Sequence, residues 1–210
     1  MYDVVRNIFP DFSKQFEGRV SWMYLDVKGL VTIGVGNLID PLSAAIGLPF
    51  VHRDDGSPAT RDEIGAEWTA LKSNTSLAQR GYQACKAVTR LGLTDDAIDD
   101  LVRRRLDQNE VLVKQAFADW DTWPADAQLG VHSMAWAMGA GFPAHFPMFS
   151  AACKKQDWNG AAANCHINDA GNPGVRPRND TNVTLFRNAA SVADSGLDPS
   201  NLVYQLPQSA

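Results

Sequence analysis

Residues 127–138 read AQLGVHSMAWAM, with His132 the one titratable side chain among them. A helix that is apolar on every side has no face for water, so other elements must surround it. The run therefore predicts a buried helix at the centre of a mainly helical core, starting at Pro124 and broken by Gly139, Gly141 and Pro143. A chain of 210 residues can bury roughly 70% of the surface its unfolded form exposes, so it needs no staples. That length fits one compact domain or one two-lobed domain, not three.

The rest of the pattern supplies the wrapping. Residues 2–17 read as a helix interrupted or restarted at Pro10, with Phe9, Phe12 and Phe16 on one face and Gly18 as terminator. Residues 22–36 change to an alternating period. Trp22, Tyr24 and Asp26 share one face, Met23, Leu25 and Val27 the other, and residues 27–29 make a turn. Beyond the turn, Val31, Ile33 and Val35 oppose Leu30, Thr32, Gly34 and Gly36, where the glycines leave room for another body to approach the backbone. Residues 40–58 read as loop. A helix starts after Thr60, which pairs with Glu63 in a capping box, and buries Ile64, Trp68 and Leu71. From there nearly everything reads as helix, with a cap at Thr94, a helix to about Lys155, a short one over 158–163 and a last one over 179–195. Residues 168–178 form a loop, and the tail from Asp198 is irregular. The fold class is α+β, mostly α.

Composition excludes several functions. There are 19 basic residues against 24 acidic ones, a net charge of −5, which argues against a nucleic-acid binder. Arg103, Arg104 and Arg105 lie near Asp99, Asp100 and Asp107 and read as a solvated helix face. Three cysteines, Cys85, Cys153 and Cys165, exclude a full disulfide framework and read as buried thiols. Cys165 and His166 with Cys153 match no common zinc spacing, and no metal or cofactor signature is present. The start, MYDVVRNIFP, is no secretory signal, and no run of about 18 apolar residues could span a membrane. The expectation is a protein made in the cytoplasm without a signal peptide.

Glutamate is scarce: only Glu17, Glu63, Glu67 and Glu110. Glu63 and Glu67 read as solvated and Glu110 as lying between helices. Glu17 reads as the last turn of a helix, next to Phe16, where the helix dipole and apolar surroundings would favour a protonated carboxyl able to give a proton to a leaving group. Asp26 and Thr32 can face one side of the hairpin. A protonated acid across from a carboxylate and a hydroxyl that orient water is what inverting glycoside hydrolysis needs, with the carboxyls about 6.5–9.5 Å apart. On spacing alone, Asp26 reads equally as a turn residue and Thr32 as a strand former. His132 and Ser133 are helix neighbours that do not face each other, so they make no nucleophile pair.

Phe16-Glu17-Gly18, Asp26 and Thr32-Ile33-Gly34-Val35-Gly36 together resemble the catalytic segment of the T-even phage lysozymes, glycoside hydrolase family 24. The resemblance implies a lysozyme-like fold of two lobes, a small hairpin lobe of about 18–75 and a helical lobe of 1–17 plus about 76–200. It implies that Glu17 is the acid, that Asp26 and Thr32 hold the attacking water, and that the substrate is the bond between N-acetylmuramic acid and N-acetylglucosamine. Residues 127–139, the stretch from Gln156 to Ala162, and Pro177-Arg178 with Phe186-Arg187 are similar to later parts of that family, which implies Arg178 near Glu17. Residues 40–120 do not align. Where the family often has histidine after Gly36, this chain has Asn37, which loses an ion pair but can still bond a sugar. Trp22, then Trp136, are the candidates to stack on sugar rings. The alternatives are a lytic transglycosylase, which needs the acid but no water-holding Asp, and a non-catalytic glycan-binding module. The expected setting is the periplasm or cell wall of a host or target bacterium, reached as a phage endolysin or a secreted effector with an immunity protein. A monomer is the default.

Overall fold

In the computed structural model, which describes residues 1–207, the chain is α+β and mostly helical, with 58% helix, 8% strand and two small sheets. The elements in chain order are α1 (Asp3–Ser13), β1 (Val20–Leu25), β2 (Val31–Gly34), β3 (Asn37–Leu38), α2 (Leu42–Ile46), β4 (Val51–His52), α3 (Arg61–Ser73), α4 (Gly81–Lys86), β5 (Leu91–Gly92), α5 (Asp95–Ala116), α6 (Ala125–Met138), α7 (Pro147–Lys154), α8 (Trp158–Asn164) and α9 (Arg176–Asp194). The chain divides into two compact units: Met1–Phe16 with the chain from Arg103 on, and Glu17–Val102. The division falls within α5.

The first unit is built on α6. Every residue from Ala125 to Trp136 is buried, as the nearly charge-free run from Ala127 on requires, and Gly139 ends it at φ +86°. Helix α9 packs against α6 through Gly130, where a Cβ would stand 2.8 Å from the Phe186 ring. Aromatic residues fill the surrounding space: Trp123 meets Phe117, Trp120 and Trp158, and Phe149 meets Phe142 and Phe186. The buried Asp126 accepts hydrogen bonds from the backbone N–H groups of Val203 and Tyr204 and from Asn188, which ties the irregular tail to α6. Burial pushes the Asp126 carboxyl up in pKa, and these donors oppose the shift. Cys85 of the other unit and Cys153 and Cys165 of this one are buried and unbridged.

Helix α1 differs from expectation in two ways. It runs through Pro10 without a break, and it stops at Ser13. Its apolar side, with Val5, Phe9 and Phe12 fully buried, outweighs the one hydrogen bond that Pro10 cannot make. After Ser13 the chain continues in tight turns, with the N–H of Gln15 bonded to Phe12 O and that of Phe16 to Ser13 O.

The second unit holds both sheets. Strands β1, β2 and β3 form an antiparallel meander in which Tyr24 pairs with Thr32 and Leu25 with Val31, with a bulge between Val20 and Tyr24. The core face carries Met23, Leu25, Val31 and Ile33. Residues 40–58, expected as loop, contain α2 and β4, and β4 pairs with β5 as a ribbon. Two-residue strands carry no alternating signal, so the sequence does not announce them. Helix α3 starts at the Thr60–Glu63 capping box as read. Glu67 is not solvated as expected: its carboxylate accepts the N–H groups of Arg90 and Leu91, and burial raises its pKa.

Candidate functional site

The residues read as a catalytic set fall in the Glu17–Val102 unit, on and just before the meander. Glu17 lies beyond the turns that follow α1. It is therefore no last-turn residue, and the dipole of α1 does not act on it in the way the sequence suggested.

Asp26 opens the β1–β2 turn. Its Oδ1 accepts the N–H of Lys28 at 2.8 Å and of Leu30 at 2.9 Å, while its backbone N–H bonds Leu30 O and its carbonyl accepts the N–H of Gly29. Gly29 takes φ +74°, which this turn requires. One carboxylate oxygen of Asp26 thus serves the turn. The turn role and the chemical role that were open on sequence alone are compatible, because Oδ2 has no such duty.

Thr32 is 5% exposed and its hydroxyl donates to Leu30 O at 3.2 Å. Across the ladder stands Tyr24, which is not among the acid and water-holding residues that the sequence suggests. Successive strand residues alternate faces, so Tyr24, Asp26 and Thr32 share one side. Burial pushes the Tyr24 phenol up to about 12, and the charges of Glu17, Asp26 and Cys85 push the same way. The phenol therefore stays protonated as a hydrogen-bond donor beside two carboxyl groups. The signal in the sequence was the alternation itself, which already put Tyr24 between Trp22 and Asp26.

Gly34 and Gly36 both take left-handed backbone, φ +65° and +67°. A Cβ on Gly34 would press against Asn37 Oδ1 at 3.1 Å and Ile98 at 3.3 Å. Asn37 is 4% exposed, and its Oδ1 accepts the N–H of Val35, so this side chain fastens the β2–β3 turn. In this conformation that oxygen is spent on the protein rather than offered to a sugar.

Trp22 is 9% exposed. Its indole N–H donates to Tyr82 O, and Lys86 Nζ and Arg53 Cζ stand 4.7 and 5.7 Å from its ring centroid. Tyr82 also touches the Tyr24 ring, at 6.2 Å. A sugar stacking on Trp22 would have to displace the two cations. In the other unit, Trp136 lies against Arg105, whose Cζ is 4.0 Å from the ring centroid, and against Phe9 at 5.2 Å. It is buried and presents no ring face to a sugar. Arg178, also in that unit, is buried. It donates to Ser133 O and Oγ and lies over the ring of Phe16, the residue before Glu17 in the chain.

Among the described residues no group of three His, Cys, Asp or Glu side chains is placed to hold a metal ion, and no helix is long and apolar enough to cross a membrane. Compared with protein-family models and with curated proteins, the chain matches none.

Proposed function

We propose that this protein is a muramidase, hydrolysing the β-1,4 bond between N-acetylmuramic acid and N-acetylglucosamine in peptidoglycan on a lysozyme-like two-lobed fold. The observation that supports the reading is the grouping of Tyr24, Asp26 and Thr32 on one face of the meander, with Glu17 close enough to act on the Tyr24 phenol. Glu17 gives its proton to the glycosidic oxygen as the bond to the anomeric carbon breaks. Asp26 Oδ2 accepts a proton from a water that the Thr32 hydroxyl helps to orient, and that water attacks the opposite face of the sugar. The Tyr24 O–H is a donor within this group. On this reading the protein acts in the cell wall of a host or target bacterium, as an endolysin or a delivered effector.

The test is digestion of purified peptidoglycan by the wild type and by Glu17→Gln, with products read by mass spectrometry. Hydrated muramyl reducing ends from the wild type alone are expected. Anhydro ends would assign a lytic transglycosylase. Equal cleavage by the variant, or binding without any product from the wild type, would overturn the reading.

A further inference from the structure

The segment 68–94 contains Lys72, Arg80, Lys86 and Arg90 and not one acidic residue, in a chain whose net charge is −5. Part of it builds a hollow of about 430 Å³ with the start of β1 and the β4–β5 ribbon. Trp22 forms one wall, Val51 and Leu93 are apolar lining, and His52, Arg53 and Lys86 supply the polar groups; no carboxylate lines it. Lys86 and Arg53 both stand over the Trp22 ring. Two like charges over one ring repel each other, and among the described residues neither is paired with a carboxylate. Arg53 is held in place by bonds from its guanidinium to Lys86 O and Thr89 O, whereas the Lys86 ammonium, at the end of α4, is exposed. Of the acids around it, Glu63 bonds Thr60 and His52, Glu67 accepts the Arg90 and Leu91 N–H groups, and Asp55, which follows Asp54 in the chain, accepts from Ser57. The hollow is a cation pair on an aromatic floor with no carboxylate in its own lining, while the charge of Glu67 reaches Arg53 from the adjoining groove.

Its position gives an anion a source. Trp22 and Tyr24 both touch Tyr82, so the hollow continues the face that carries Tyr24 and Asp26. Trp22 lies four residues before Asp26, which directly follows β1, at most about 13 Å at the rise of a regular strand and less with the bulge in β1. An extended peptide of four residues spans about the same distance. In peptidoglycan, a peptide bearing free carboxylates branches from each muramic acid. We propose that the hollow of Trp22, Arg53 and Lys86 is a subsite for the carboxylates of that stem peptide. The proposal rests on the muramidase reading and adds to it the part of the substrate beyond the glycan.

The experiment compares two substrates, intact peptidoglycan and glycan strands stripped of their peptides by an amidase. Three proteins are assayed: the wild type, Lys86→Met and Lys86→Glu. Lys86→Met keeps the apolar stem and removes only the charge, so it stays informative if an acid at the end of α4 harms folding. The expected result is a KM raised about tenfold for Lys86→Met, and more for Lys86→Glu, on intact peptidoglycan, with both within twofold of wild type on stripped strands. Added salt should raise the wild-type KM on the intact substrate only. Equal losses on both substrates, or none on either, would overturn the subsite and leave the muramidase reading standing. A wild type that cleaves neither substrate would overturn that reading and the subsite with it.

Discussion

Tyr24 on β1 stands directly opposite Thr32 on β2, so a phenol and a hydroxyl project together from the face that Asp26 also uses. The phenol, with its pKa pushed up to about 12, stays protonated throughout the acid and neutral range. Removing the hydroxyl alone tests whether that donor takes part. Tyr24→Phe keeps the ring against Tyr82 and should melt within a few degrees of wild type. Its kcat/KM on soluble peptidoglycan fragments should fall roughly five- to tenfold, the worth of one hydrogen bond. Unchanged kinetics would make Tyr24 a packing residue only.

Asp26 allows the turn and the chemistry to be separated. Asp26→Asn keeps an oxygen to accept the Lys28 and Leu30 N–H groups but loses the charge. It should fold like wild type and lose activity by about a hundredfold or more, the scale of a missing general base. Asp26→Ala loses both functions and should also lose about 1 kcal/mol of stability. Thermal melts and peptidoglycan turnover on the two variants decide the matter. An active Asn variant would leave Asp26 as a turn residue.

The elements legible in the sequence were those with a long period or a local chemical signature. The charge-free run gave α6, the Thr60–Glu63 box gave the start of α3, and alternation over residues 22–36 gave the β1–β2 pair. Tertiary packing decided the rest. Pro10 breaks a helix by local rules, yet α1 passes through it because Phe9 and Phe12 are buried on either side. The β4–β5 ribbon depends on Glu67, twenty-three residues before the Arg90 N–H it accepts, and no local pattern reports such a bond. Within the candidate site, Glu17, Asp26 and Thr32 stand out together only through the resemblance of their segment to a known family, since on spacing alone Asp26 reads equally as a turn residue and Thr32 as a strand former. Tyr24 does not stand out, because its place comes from a cross-strand partner. Trp22 and Trp136 were picked out as aromatics that could meet sugar, but cations cover both rings.

Gly130 is a packing requirement with a measurable cost. A Cβ there would lie 2.8 Å from Cζ of Phe186, whose ring is fully buried against α6. Gly130→Ala gains helix propensity but overpacks this contact, and urea unfolding should show a net loss of about 1–3 kcal/mol. Pairing it with Phe186→Leu should recover part of that loss, because the clash goes with the ring. If the two costs simply add, the steric account is wrong.

His132 should make the protein acid-sensitive. Its ring is fully buried in α6, 5.1 Å edge-on from Trp120 and 6.2 Å from Phe9, and neither ring nitrogen has a hydrogen-bond partner. Burial pushes its pKa down to about 3; the charges of Glu110 and Asp107 pull upward but do not offset it. In the unfolded chain the same imidazole titrates near 6.5. Between those values the unfolded state holds a proton that the folded state refuses, so unfolding takes up a proton and stability falls as the pH drops. The contribution is intact above about pH 6.5 and declines below it by up to about 1.4 kcal/mol per pH unit. The carboxylates that titrate over the same range are common to wild type and a His132→Leu variant, so their effect cancels in the comparison. Urea unfolding of both proteins at pH 7 and pH 4.5 should show the wild type losing about 2–3 kcal/mol more than the variant. Equal losses would mean that the folded protein accepts the proton on this buried imidazole between Trp120 and Phe9, and would overturn the account.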